Sequence, residues 1–169
     1  MTQTEEYAEL EKQAEARMAA SRARYAREQK QADACAVSQK KLNKAFAQLR
    51  REGLLAKQGF SCCRSCAGSE LATLIENLIE TGEARPNGVV FYSKQEGFRG
   101  SSVRESKFRR LYLSFGSVTT TKYGDVGLPT VEVGQMLAKA LTEAGLTFEW
   151  DGSPNSTIVV DPCPGLWPS

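Results

Sequence analysis

Three of the five cysteines in this 169-residue chain fall within five positions, in Phe60-Ser61-Cys62-Cys63-Arg64-Ser65-Cys66. Cys63 and Cys66 have the Cys-x-x-Cys spacing that lets two thiolates on one turn converge on a tetrahedral ion, and Cys62 is adjacent. Zinc there needs a fourth ligand. Cys163 and Glu70 are the candidates, which makes Cys62, Cys63, Cys66 and Cys163 the candidate metal set. The same residues admit thiol redox chemistry, because Cys63-Arg64-Ser65-Cys66 opens a stretch of helical spacing. A helix N-terminus and a neighbouring Arg both favour the thiolate. A third reading has the cysteines as small buried fillers that let a strand turn sharply into a helix. A single Cys-x-x-Cys does not separate these three. The packing reading is preferred, so no cofactor is expected, with zinc as the alternative. Cys35 reads as an isolated thiol.

Other catalytic sets are missing. The chain has no histidine, which removes the usual general acid/base near neutral pH and leaves a serine nucleophile without its base. It has no Gly-x-x-x-x-Gly-Lys phosphate loop. Asp125, Glu149, Asp151 and Asp161 are scattered carboxylates, and Asp151 reads as fixing the turn after Trp150. An enzyme is not the expectation; a zinc- or thiol-dependent one at Cys62, Cys63 and Cys66 is the rival.

The net charge of +2 conceals segregation. Residues 1–15 carry five acids and one base, residues 16–58 eleven bases and three acids. The stretch 99–110 adds five bases against one acid. Arg17, Arg22, Arg24 and Arg27 in the first basic block, with Arg99, Arg104, Lys107, Arg109 and Arg110 in the second, are the candidate partner-binding residues. Phe108 and Tyr112 offer stacking faces beside them, so a nucleic acid is one partner to weigh. Against it, residues 111–169 hold two bases and six acids, which keeps the positive field local. A protein partner is preferred.

These groups need positioning elements. Residues 4–36 lack Gly and Pro and are rich in Ala, Glu, Gln, Lys and Arg, a strongly helical composition. Tyr7, Leu10, Ala14 and Met18 keep helical spacing, yet Arg17 and Arg24 interrupt any heptad. The reading is a charged helical arm over 1–40, lying in solvent or docking on a partner or a second copy. A compact domain follows over 41–169. Leu42, Phe46 and Leu49 mark one helix face, which Gly53-Leu54 terminates. Leu54 to Phe60 reads as a strand; Leu71, Leu74, Ile75, Leu78 and Ile79 form the stripe of a second helix closed by Gly82. Val89–Tyr92 and Leu111–Phe115 read as strands. A third helix, with Thr130 at its cap, carries Val133, Met136, Leu137, Ala140 and Leu141 and ends at Gly145-Leu146. Thr147–Trp150 and Thr157–Val160 are strands around a turn at Asp151–Asn155. The order is α-β-α-β-β-α-β-β. It predicts an α+β domain with a mostly antiparallel sheet and helices on one face.

From about Leu42 to Val160 the chain resembles an uncharacterised bacterial domain of unknown function. The resemblance rests on Gly53-Leu54, Phe60, Cys62, Cys63, Cys66, Phe91-Tyr92, Gln95, Leu111-Tyr112-Leu113, Gly116, Gly145-Leu146 and Glu149-Trp150-Asp151-Gly152. It implies that the arm is an addition to a pre-existing domain, and it implies no activity. Ala67 replaces a usual Gly, and Ser93 and Ala67-Gly68 stand where relatives place histidines, so a metal site built on those is lost here.

The acidic, polar start Met1-Thr2-Gln3-Thr4-Glu5-Glu6 is unlike a secretory signal, and no apolar run reaches membrane-spanning length. A cytoplasmic protein is expected. The whole reading is a non-catalytic adaptor or inhibitor of a larger complex, of bacterial, phage or mobile-element origin. It would dock through the arm and the basic 99–110 loop, with homo-oligomerisation through the arm as a further option.

Overall fold

The structure, a computed structural model, describes residues 2–94 and 111–160. Its dominant element is α1, a single helix of 49 residues from Gln3 to Arg51. Thr2 starts it through a capping box, its backbone N–H donating to Glu5 Oε2 at 2.7 Å, which satisfies end groups that the helix itself leaves unpaired. Gly53, at φ 91°, stops it. There the Gly53 and Leu54 amides turn back to the carbonyls of Arg50 and Leu49, a Schellman closure whose C″ residue, Leu54, is buried. The Gly145-Leu146 pair closes α3 (Thr130–Glu143) by the same two bonds. Both sequence-derived stops hold.

The arm and the first domain helix are therefore one element, and the change near residue 40 is in burial, not in backbone. Where side chains are described, residues 2–37 are exposed. From Ser38 onward a buried face begins, with Leu42, Ala45, Phe46 and Leu49 all but fully covered.

The remaining elements are β1 (Leu55–Lys57), α2 (Arg64–Glu80), β2 (Val89–Phe91), β3 (Leu111–Gly116), β4 (Val118–Thr120), β5 (Gly124–Val126), α3, β6 (Phe148–Glu149) and β7 (Ile158–Val160). Five strands form one sheet in the order β1-β2-β3-β7-β6. β1 and β2 run parallel, joined by α2 as a βαβ unit; the β2–β3, β3–β7 and β6–β7 pairs are antiparallel. An α+β fold with a mostly antiparallel sheet is what the residue pattern predicts.

Two parts of that prediction need correction. First, the helices do not share a face. Successive strand residues point to opposite sides, and on β2 Val90 joins the cluster of α1 and α3 residues, while Val89 and Phe91 join Ala67, Leu71 and Ile75 of α2. α1 and α3 cover one side, α2 the other. β2 is buried throughout, and a continuous apolar run such as Val89–Phe91 signals a strand covered on both faces. Second, β4 and β5 form a hairpin absent from the predicted order. Its strands of three residues are too short and too rich in Thr and Gly to show a period. It packs on α2, with Val126 in the second cluster and Glu76 accepting from the Thr121 and Lys122 amides at 2.8 and 3.2 Å. A smaller difference concerns α3: Pro129 occupies its N-cap, and Thr130 is the first helical residue.

Candidate functional site

The cysteine turn lies between β1 and α2, within the βαβ unit. Beyond Lys57 the chain stays beside the end of β2: the Phe60 amide donates to Tyr92 O and the Lys94 amide to Ser61 O, both at 2.9 Å. Ser61 is bent into the left-handed region, φ 63°, uncommon for a residue with a Cβ. Its hydroxyl donates to Glu70 Oε1 at 3.0 Å, tying the bend to the first turns of α2. This bend delivers Cys62 and Cys63 to the helix mouth, with Cys63 at the N-cap in extended conformation and Cys66 one turn into the helix.

Residues that sequence reasoning passed over brace the turn from below. Gln58 accepts from Tyr92 OH and from Gln39 Nε2, each at 3.0 Å, and donates to Asn43 Oδ1 at 2.9 Å. Gln39 and Asn43 belong to α1, so this network links the root of the arm to the cysteine turn. Tyr92 is buried, its ring 6.1 Å from that of Phe46 in an edge-on contact, and burial holds its phenol above the ordinary range. A signal existed in the polar Gln39, Asn43 and Gln58 flanking apolar runs, but only the fold shows that they meet.

The three sulfur atoms of Cys62, Cys63 and Cys66 all lie within 4.8 Å of one another, the Cys62 and Cys63 sulfurs at 3.9 Å. Cys62 and Cys66 are exposed and Cys63 half-buried, so the expectation of buried packing cysteines is overturned. The covered face of α2 begins only at Ala67, and all three cysteines precede it. Cys63 makes no complete side-chain cap bond. Even so, the Cys66 backbone N–H, with help from the Cys66 and Cys62 thiols, holds the Cys63 thiol below its ordinary range. Cys66 is pushed the other way, up to about 12, by hydrogen bonding to Cys62 and Cys63 and by repulsion from their charge.

These residues fit a metal. A tetrahedral ion with zinc–sulfur bonds of about 2.3 Å holds its sulfurs roughly 3.8 Å apart. One pair is already at 3.9 Å, and the others, within 4.8 Å, need to close by no more than about 1 Å. Three thiolates would cap the ion and leave one position open. Glu70 is committed to Ser61, and Cys163 lies outside the described residues. For the thiol-redox reading, the motif does open the helix of a parallel βαβ unit, as redox Cys-x-x-Cys motifs do.

Asp151 has the turn-fixing role expected of it, accepting from the Ser153 amide at 2.8 Å and from Ser156 Oγ at 2.5 Å. Those bonds hold its carboxyl below the usual aspartate range, Ser156 contributing most.

Arg17, Arg22, Arg24 and Arg27 are exposed on α1. Arg99, Arg104, Lys107, Arg109 and Arg110 lie outside the described residues. Between the described arginines runs a feature that the heptad test obscured. Tyr7, Leu10, Met18 and Tyr25 are 60 to 69% exposed. On a helix turning roughly 100° per residue they fall, with Ala14, within about 80° of arc. Arg17 and Arg24 sit beside this seam and do not break it.

A family model for a domain of unknown function, DUF6891, matches residues 1–164. The chain belongs to the DUF6891 family. No curated protein and no solved structure matches it. The match spans the arm as well as the sheet. Among the described residues, no helix is long and apolar enough to cross a membrane.

Proposed function

We propose that the protein is a non-catalytic interaction module, an adaptor or inhibitor within a larger assembly, and that the exposed seam of α1 is its docking surface. The observation that carries this is the placement of Tyr7, Leu10, Met18 and Tyr25 in one stripe on a helix that the domain leaves uncovered. A helix with a one-sided apolar stripe is stabilised by covering that stripe. Large exposed apolar side chains grouped together mark interaction sites, whereas scattered ones do not. From Gln3 to Val37 the arm reaches about 50 Å at 1.5 Å per residue, and the basic 99–110 segment would add a second contact. The test places a photo-reactive amino acid at Met18, in the seam, or at Ala23, about 140° around the helix. Protein adducts at position 18 and not at 23 support the reading. Equal labelling, or none, sinks it.

A second reading is favoured by the sulfur geometry: Cys62, Cys63 and Cys66 bind one zinc ion, as a structural clamp on the turn or as an open site. Native mass spectrometry of protein purified under reducing conditions should then show one zinc per chain, lost in Cys63→Ser. A metal-free mass after zinc addition contradicts it.

A further inference from the structure

The seam of α1 is symmetric about residue 16 except at Leu10, whose mirror position is Arg22. Tyr7 lies nine positions before it and Tyr25 nine after; Ala14 lies two before and Met18 two after. As blocks, the charges reverse sign across the same point, although only Glu5/Arg27 and Glu15/Arg17 do so position by position. Residues 1–15 carry five acids and one base, residues 16–30 five bases and one acid.

We propose that the occupant of the seam is a second copy of this chain, paired antiparallel along α1 about a two-fold axis level with residue 16. This rests on α1 being the docking element and names what docks there. A two-fold interface is self-complementary by construction, each patch meeting its own copy. Here the sequence meets that condition in the Tyr7/Tyr25 and Ala14/Met18 pairs and in the charge of the two blocks, with Leu10 level with the aliphatic stem of Arg22. In the antiparallel arrangement Tyr7 comes level with Tyr25 of the second copy, and the small Ala14 with the large Met18. Glu15 comes level with Arg17, Glu11 within one residue of Arg22, and Glu6 within two of Arg24. At 1.5 Å per residue those offsets are about 1.5 to 3 Å, within the reach of long side chains. All six charged residues are exposed. A two-fold antiparallel pair brings like flanks together, and Glu11 shares one flank of the seam with Arg22 and Glu6 the other with Arg24, whereas Glu15 and Arg17 lie across the seam from each other and act only through the charge of their blocks. A parallel pair would instead set acid block on acid block and base block on base block. The charge pattern thus selects both the occupant and its direction. The apolar seam is narrow, so the pair is reversible and depends on salt.

The test uses the full chain in sedimentation equilibrium with two triple variants. Glu6→Lys/Glu11→Lys/Glu15→Lys makes both blocks positive; Arg17→Glu/Arg22→Glu/Arg24→Glu makes both negative. The wild type should shift from one chain to two as it is concentrated at about 0.05 M salt, and the dimer should weaken at least about tenfold by about 0.5 M. Each variant alone should weaken the dimer at least about tenfold, whereas their equimolar mixture should recover wild-type strength within about threefold. Circular dichroism shows whether each variant keeps the helix, and the mixture is informative even when one variant alone is frayed. A wild type that stays monomeric overturns the inference, as does a mixture no stronger than its components. Position-18 adducts to a different protein, with no self-association, would defeat this pairing and leave the docking reading standing. Loss of both would end both.

Discussion

Alkylation of the cysteine turn should be strongly uneven. Cys63 sits at the mouth of α2 with its thiol held low by the Cys66 amide, while Cys66 is driven up to about 12 by its two neighbours. At pH 7.5 an ordinary thiol with a pKa of about 8.5 is roughly one-tenth thiolate. A thiol at about 12 is thiolate in about three parts per 100,000 by the same titration relation, some 3,000-fold less. Greater intrinsic nucleophilicity of the more basic thiolate returns roughly 25- to 50-fold. The repulsive part of the Cys66 shift acts only while Cys62 and Cys63 are charged, so Cys66 should react at least about tenfold more slowly than an ordinary thiol, and more slowly still than Cys63. The measurement is the initial rate with substoichiometric iodoacetamide on reduced protein, read by peptide mass. Trypsin cleaves after Arg64 and so separates Cys62 and Cys63 from Cys66. Only initial rates are diagnostic, because alkylating Cys63 removes one cause of the upward shift on Cys66. Equal early labelling of the two peptides, or faster labelling of the Cys66 peptide, would refute the assignment of opposite shifts.

Gly134→Ala should destabilise the domain although Ala favours helix by about 1 kcal/mol. A Cβ there meets Phe115 Cε2 at 2.6 Å and two Trp150 ring atoms at 2.8 Å, and overpacking costs about 1–3 kcal/mol, so urea melts should show a net loss of about 1 kcal/mol. A gain in stability would mean that the Phe115–Trp150 edge-on pair, 5.5 Å between centroids, yields freely. Asp151→Asn should lower the melting temperature at neutral pH by a margin that shrinks as pH falls. The folded carboxyl titrates below its unfolded value, so its stabilisation is present above about pH 4 and disappears as pH drops through the folded pKa. A margin that grows toward acid contradicts the hydrogen-bonded turn. Leu137→Ala, in the fully buried core between α3 and α1, should cost about 2–5 kcal/mol in the same melts, and a loss below 1 kcal/mol would argue against that packing.

The parts of the fold legible in sequence were those encoded locally. Gly53-Leu54 and Gly145-Leu146 state their helix stops in two residues, and the stripes from Leu42 and Leu71 have enough turns to show a period. The hairpin at 118–126 lacks that length. The sidedness of the helices was hidden for another reason. Val89-Val90-Phe91 says that both faces are covered, not by what, and the answer depends on β1 and β2 pairing in parallel across α2. The cysteine cluster was visible as a motif, but its exposure depends on where the covered face of α2 begins, which is at Ala67. On the arm, the heptad test looked for a repeat of seven and met Arg17 and Arg24. The seam uses steps of 11 and 7 from Tyr7 to Met18 to Tyr25, which a single continuous helix brings into line.

The most direct measurement is amide hydrogen exchange along residues 3–30 of the intact chain, made across a dilution series from about 1 mM to 1 μM. A solvated helix held only at its root opens readily, and covering its seam closes those openings. The account predicts slow exchange in this segment at high concentration, becoming fast on dilution, while Leu42, Phe46 and Leu49 stay protected throughout. Exchange in the arm that is equally fast at every concentration, with no partner added, would contradict the pairing of α1 with its own copy.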